Sequence, residues 1–207
     1  LRSILAHQAR LRAWIPFYRF TMNSHQFLPN YYSTNLQDGF STQVAQNLYI
    51  KNSFADTIRR RIIEAPLLQD RNYVYSDLGF ILFTPLIESL VGKPFDAFLY
   101  SEFFSPMGLN SLVFNPLDKI DADRIIPSEN DTVWRRQVLR GTVNDQAAAM
   151  MGGVAGHAGM FGNAQDVAVM MLMFLRGGEY AGRQFLNPST VREFTRYQFA
   201  GNNNRRG

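Results

Sequence analysis

The sequence predicts a mainly α-helical chain with a few short strands. Three observations carry that reading. The stretch FADTIRRRIIEAPLL, residues 54–68, repeats apolar positions at helical spacing, with Ile58, Ile62 and Ile63 on the inner side and the arginines mostly outside. Two long apolar runs, within residues 76–91 and 164–176, are bounded by capping residues and glycines and are too long for single strands. Residues of strand type gather in only two short stretches, 111–114 and 138–143.

The elements follow in chain order. Residues 1–9 read as a helix with Leu1, Ile4 and Leu5 on one face. Residues 13–40 alternate aromatics with Pro, Asn and Gly and read as a long ordered loop. Such a loop either borders a groove or plugs a core edge with its aromatics, and both readings stand. The helix from about Ser76 to Val91 contains Pro85, which removes one backbone donor and predicts a kink near Ile81. Gly92 is placed to end it. Pro94 then opens another helix over PFDAFLYSEFF. Asn163 offers an N-cap, and Asp166 three residues on completes the pattern of a capping box. The run VAVMMLMFL that follows predicts a helix buried nearly all round, ended by Gly177 and Gly178. A last helix starts near Asn187 or Pro188.

Composition narrows the function classes. At 207 residues and 46% apolar, the chain can bury a core, and it is read as a single domain over residues 1–207. No run of 18 apolar residues occurs, so no membrane span is expected. There is no cysteine, which excludes disulfides, thiolate metal sites and a cysteine nucleophile. The net charge of +4 comes from 18 Arg and 3 Lys, scattered apart from residues 59–61, 135–136 and 205–206. A nucleic-acid surface calls for denser basic clusters with interleaved aromatics, so no nucleic-acid partner is expected. His7 and His25 are isolated, without the spacing of metal ligands, so neither a metal nor a cofactor is expected.

Three ordered blocks then carry a resemblance. YSDLGFILFTPLIESLVGKPFDAFLYSEFFSPMGLNSL resembles the middle of the penicillin-recognising serine hydrolases, the group of class C-type β-lactamases, D-alanyl-D-alanine carboxypeptidases and related esterases. Their second motif is Tyr-x-Asn at a helix start, and here it reads Tyr75-Ser76-Asp77. The stretches LRSILAHQARLRAWIPFY and GGVAGHAGMFGNAQDVAVM are similar to two further family segments, in the family's order. The resemblance implies the helical subdomain of the β-lactamase-like α+β fold, lacking most of the central sheet. It also implies a chain truncated at both ends. No serine has a lysine three residues on, and neither Lys-Thr-Gly nor His-Thr-Gly occurs, so two of the three family motifs are absent. His157-Ala158-Gly159 is not read as the third motif, because it opens a buried helix.

The resemblance gives Tyr75 the role of general acid/base beside the lysine of the first motif. A phenol is a weak base partner at its ordinary pKa of about 10, and an adjacent ammonium favours its ionised form. Asp77 stands where the family has Asn. An ionised carboxylate only accepts hydrogen bonds, whereas an amide also donates. Asp77 is therefore expected to hold the lysine without donating to a substrate carbonyl, which favours esters or other acyl substrates over β-lactams. Ser76 is read as a helix cap and His157 as a satisfied buried residue. Trp14, Phe17 and Tyr18 border the expected substrate cleft, with packing as the equal alternative. The implied substrate is a small molecule or a peptidoglycan-derived group in the full-length protein, in a periplasmic or secreted setting. The competing reading is a non-catalytic glycan- or protein-binding appendage, such as one on a family-three glycoside hydrolase. A chain without both flanks of its sheet is also expected to self-associate through exposed apolar surface.

Overall fold

The computed structural model describes residues 1–200 and Asn204. The arginine pair at 205–206 lies outside the described residues. Helix outweighs strand. Helix α1 spans Arg2–Leu5, and a 3-10 turn at Phe17–Thr21 leads into a tight hairpin of β1 (Met22–Asn23) and β2 (Gln26–Phe27). Strands β3 (Tyr32–Ser33), β4 (Thr42–Ala45) and β5 (Leu48–Ile50) form a small antiparallel sheet with β5 in the middle. Helices α2 (Phe54–Glu64), α3 (Leu78–Val91) and α4 (Phe95–Leu99) follow, and a π-turn at Tyr100–Phe104 extends α4. Then come β6 (Val113–Phe114) and the hairpin of β7 (Glu129–Asp131) with β8 (Gln137–Leu139). After α5 (Gln146–Met150), β9 (Met160–Phe161) returns to pair with β6. Helix α6 (Ala164–Leu175), the hairpin of β10 (Glu179–Tyr180) and β11 (Arg183–Gln184), and α7 (Pro188–Thr195) complete the chain.

Among the described residues there are eleven strands of two to four residues; the two stretches the sequence predicts, 111–114 and 138–143, contain β6 and overlap β8, and the other nine are not predicted. A two-residue strand has no room to display alternation, so these pairings leave no periodic signal. Two cores form. The larger joins the 17–50 region, α2, the start of α3, Trp134, Leu139 and α5. The smaller joins Phe104, Met107, Leu109 and Leu112 to Met173 of α6.

Several expectations hold and several are corrected. Gly92 ends α3 in the left-handed region, at φ 67°. Asn163 Oδ1 accepts the Asp166 N–H at 2.8 Å, as a cap should. Asp166 does not close the box itself. Its carboxylate takes the Ser111 N–H and hydroxyl, both at 2.7 Å, and that hydroxyl accepts the Asn163 N–H at 3.0 Å. The first helix stops at Leu5 rather than at residue 9, because His7 turns left-handed at φ 57°. Ile58 and Ile62 of α2 are buried, but Ile63 is exposed, since it lies about 100° further round the helix. Helix α3 runs unbroken through Pro85. Helix α6 is not buried all round: only Met173 is buried, and Val167, Met171, Phe174 and Leu175 are exposed. No single described helix is long and apolar enough to cross a membrane.

The larger core is tied by a buried charge. The side chain of Arg135 is 0% exposed and that of Asp131 2%. Asp131 accepts from Arg135 Nε at 2.7 Å and from the N–H groups of Val133, Trp134 and Arg135. Burial alone would raise its pKa, but these bonds and the guanidinium charge hold it below the usual carboxylate range. The far end of Arg135 donates to the carbonyls of Val143 at 2.7 Å and Asn144 at 2.5 Å. Beside it runs a chain of donors through the core: Trp134 Nε1 to the Tyr32 hydroxyl at 2.9 Å, that hydroxyl to Thr21 at 2.7 Å, and Thr21 to the Tyr18 carbonyl at 2.6 Å. Burial pushes the Tyr32 phenol up to about 12 despite these partners. Arg135→Ala strands the Asp131 carboxylate and two buried carbonyls, and is expected to lower stability by about 3–5 kcal/mol in urea unfolding.

Candidate active site

The corner around Tyr75 is built by main-chain geometry. The left-handed turn at His7 sends residues 7–13 alongside residues 74–77. The His7 carbonyl accepts the Val74 N–H at 3.1 Å, and His7 Nδ1 accepts the Ser76 N–H at 3.1 Å. The Ser76 hydroxyl donates to the Arg12 carbonyl at 2.6 Å and accepts the Leu78 N–H at 3.3 Å. Ser76 thus commits its own proton to a carbonyl and meets the first residue of α3 from just outside the helix, whose N-cap position is Asp77 and carries no side-chain cap bond. The Asp77 N–H meets the Ala13 carbonyl at 3.4 Å. Tyr75 lies over the His7 ring, centroids 4.5 Å apart, and Tyr73 and Phe80 flank the same ring at 5.7 and 5.4 Å. Tyr75 itself is 55% exposed.

Asp77 is half-buried at the start of α3. Burial raises its pKa above the usual carboxylate range, the charge of His157 lowers it, and the nearby Asp145 carboxylate raises it again. His157 Nε2 bonds Asp145 Oδ1 at 2.8 Å, and the histidine side chain is 2% exposed. Asp145 Oδ1 also caps α5 through the Ala148 N–H at 2.7 Å. Burial would raise Asp145, but the bond and charge of His157, with the N–H groups of Ala148 and Ala147, hold it below the usual range. Among the described residues no His, Asp and Glu side chains converge in a set that could hold a metal ion.

The residues named from sequence divide into two sets. Tyr75 and Asp77 share the corner, and Trp14 is exposed next to Ala13, whose carbonyl touches Asp77. Phe17 and Tyr18 do not stand on an open wall: both are buried in the larger core, where the Tyr18 ring lies 6.0 Å from Trp134. Their aromatic mass fills the core, so packing is the role the structure gives them. Sequence reasoning missed His7, which organises the corner through its backbone turn and ring nitrogen. It also read His157 as fully satisfied, whereas His157 Nδ1 is buried without a hydrogen-bond partner among the described residues. A lone histidine carries no local pattern that would have exposed either role. An apolar groove of about 370 Å³, lined by Leu1, Leu5, Ala6, Phe80 and Phe194 among others, adjoins this corner through Phe80. A polar cavity of about 600 Å³ lies elsewhere, between residues 41–46 and 137–142.

The electrostatics set a pH dependence. Asp131 and Asp145 both have lowered values in the folded chain, so in acid the unfolded chain binds more protons than the folded one. Their stabilisation is complete above the ordinary carboxylate value of about 4 and is lost as pH falls through the lowered folded values. Asp77, raised on folding, works in the opposite sense and weakens the fold once it must ionise. Asp145→Asn keeps a capping oxygen while removing the charge. It is expected to flatten the acid limb of stability in urea unfolding between about pH 5 and pH 2.

Comparison with known proteins fits this geometry. The chain matches the Beta-lactamase family model over residues 1–206. It is 38% identical over 135 residues to a protein of Escherichia coli K12 named as a D-alanyl-D-alanine carboxypeptidase, an alignment covering 59% of this chain and 31% of the other. The chain thus spans about a third of the length of the curated relatives it matches. Among solved structures, the octameric penicillin-binding protein homologue of Pyrococcus abyssi superposes with a TM-score of 0.56 at 12% identity, covering 94% of this chain and 38% of that one. The D-amino acid amidase of Ochrobactrum anthropi superposes at 0.53 and 16% identity, covering 93% and 46%. At such identities the likeness is one of fold. With the family model matched along nearly its whole length, the chain belongs to the beta-lactamase family, the penicillin-recognising serine hydrolases.

Proposed function

We propose that this chain supplies the helical part and one catalytic corner of an acyl-serine hydrolase, with nucleophile and third motif carried by polypeptide outside it. The observation that carries this reading is the exposed Tyr75 beside a half-buried Asp77 at the start of α3, in a chain without Ser-x-x-Lys. A serine hydroxyl needs a base to take its proton. Tyr75, anchored on His7 with its hydroxyl end open, takes that proton and returns it to the leaving group. Asp77 accepts from the lysine ammonium of the first motif, and Trp14 borders the substrate. The substrates are esters, peptides or β-lactams of small-molecule or peptidoglycan origin, in the cell envelope. The exposed apolar face of α6 and the groove beside Phe80 are where the rest of the fold, or a second copy, would pack.

Covalent labelling tests the assignment. A fluorophosphonate probe is expected to leave the mass of this chain unchanged and to add one adduct to a longer polypeptide extended at both ends. An adduct on this chain would place the nucleophile inside it, and no adduct on either would favour a non-catalytic module. In the longer polypeptide, Tyr75→Phe is expected to lower the acylation rate by about 100-fold or more. Asp77→Asn is expected to raise β-lactam turnover relative to ester turnover, and an unchanged ratio would refute the role given to the carboxylate.

A further inference from the structure

The polar cavity between residues 41–46 and 137–142 shares no lining residue with the corner around Tyr75, and its walls are fixed by hydrogen bonds. The Gln46 N–H donates to Gln137 Oε1 at 2.9 Å, and Gln137 Nε2 donates back to the Gln46 carbonyl at 3.4 Å, which ties the β4–β5 turn to β8. Asn52 Oδ1 gathers the N–H groups of Ser41 and Thr42 at 2.9 and 3.1 Å. Asn115 Nδ2 donates to the Gly152 carbonyl at 2.9 Å. Gly141 sits at φ 71°, and a Cβ there would fall 2.5 Å from Leu117, so the two segments touch without a side chain between them. At about 600 Å³ the space is of the size that takes a small molecule.

Inside that frame several polar side chains stay uncommitted. The Gln46 amide, the Thr142 hydroxyl and the Asp118 carboxylate line the cavity and make no hydrogen bond or ion pair among the described residues. Arg140 commits only Nη1, to the carbonyls of Ala122 and Ile125 at 3.2 and 2.9 Å. One carboxylate and one guanidinium balance, so the lining favours neither sign of charge. The amide and the hydroxyl each donate and accept, the carboxylate accepts at two oxygens, and the guanidinium donates from a planar fork. Neighbouring hydroxyls, each both donor and acceptor, complement such a set. Leu117 and Val138 are exposed along the same lining and offer an apolar patch to the C–H face of a ring.

We propose that this cavity binds a neutral mono- or disaccharide. Asp118 accepts from the sugar hydroxyls, Arg140 donates to them, and Gln46 and Thr142 do both. The walls are set before the ligand arrives, so little ordering opposes binding. The site stands independently of the hydrolase reading, and the outcome of probe labelling does not bear on it.

The test is an NMR titration of this chain, followed at the backbone amides, with N-acetylglucosamine and with cellobiose. Glycine and inorganic phosphate serve as charged controls. At least one sugar is expected to give saturable shifts confined to the surroundings of Gln46, Gly141, Thr142 and Gly152, with a midpoint at or below about 10 mM. Asp118→Ala is expected to weaken binding by about tenfold or more, and Gln46→Ala and Thr142→Val by about fivefold each. None of these three side chains holds the frame, so each variant is expected to keep the native thermal midpoint, and any one that folds decides the matter. Absence of saturable shifts with both sugars overturns the proposal. So do shifts centred elsewhere, a midpoint unmoved by the folded variants, or tighter binding of phosphate or glycine than of either sugar.

Discussion

Most of the molecule depends on one buried guanidinium. Arg135 is fully enclosed, yet it joins its own hairpin to the residues just ahead of α5 and to Val44 of β4. It pairs with Asp131 in its own hairpin, approaches Glu129 at 3.7 Å, and donates to carbonyls just ahead of α5. It also lies against Trp134, at 4.8 Å from the ring centroid, in the centre of the larger core. A charge in that position is tolerated only because every face of it meets a carboxylate, a carbonyl or an aromatic ring. The same clamp sets where Asp145 begins, and Asp145 in turn caps α5 and holds His157. From the β7–β8 hairpin, hydrogen bonds and ion pairs thus run through Arg135 and the residues ahead of α5 to Asp145 and His157.

The corner depends on a second, local device. A left-handed residue at position 7 folds the chain back so that residues 7–13 supply acceptors to residues 74–77. Polar groups at the head of α3 are thereby satisfied by a neighbouring segment and not by water. This allows Ser76 to be buried while Tyr75, one residue earlier, points outward. The Tyr75 ring meanwhile stays seated against His7, with 4.5 Å between centroids.

The relation to the solved structures is one of shape more than of identity. Proteins only 12–16% identical superpose on more than nine-tenths of this chain. What such distant chains share is the fold.

The sequence by itself determined the elements whose signal is local. Helix α2 follows from the spacing of Ile58 and Ile62, the end of α3 from Gly92, and the start of α6 from Asn163. Motif order along the chain marked Tyr75 and Asp77 and pointed to the family. Tertiary structure alone decided which aromatics pack and which stay open. Phe17 and Trp14 look alike in sequence, yet one is enclosed by the core and the other is not, because burial depends on segments a hundred residues away, such as Trp134. It also decided the short strands, whose pairs of residues are too brief to show a period. The exposure of α6 was decided there as well, since an apolar run states what a surface prefers and not whether a neighbour is present to cover it. Finally it set His157 against Asp145 and laid the loop at Gly156 on the first turns of α3. Their meeting rests on long-range packing around Arg135, which no local pattern in the sequence encodes.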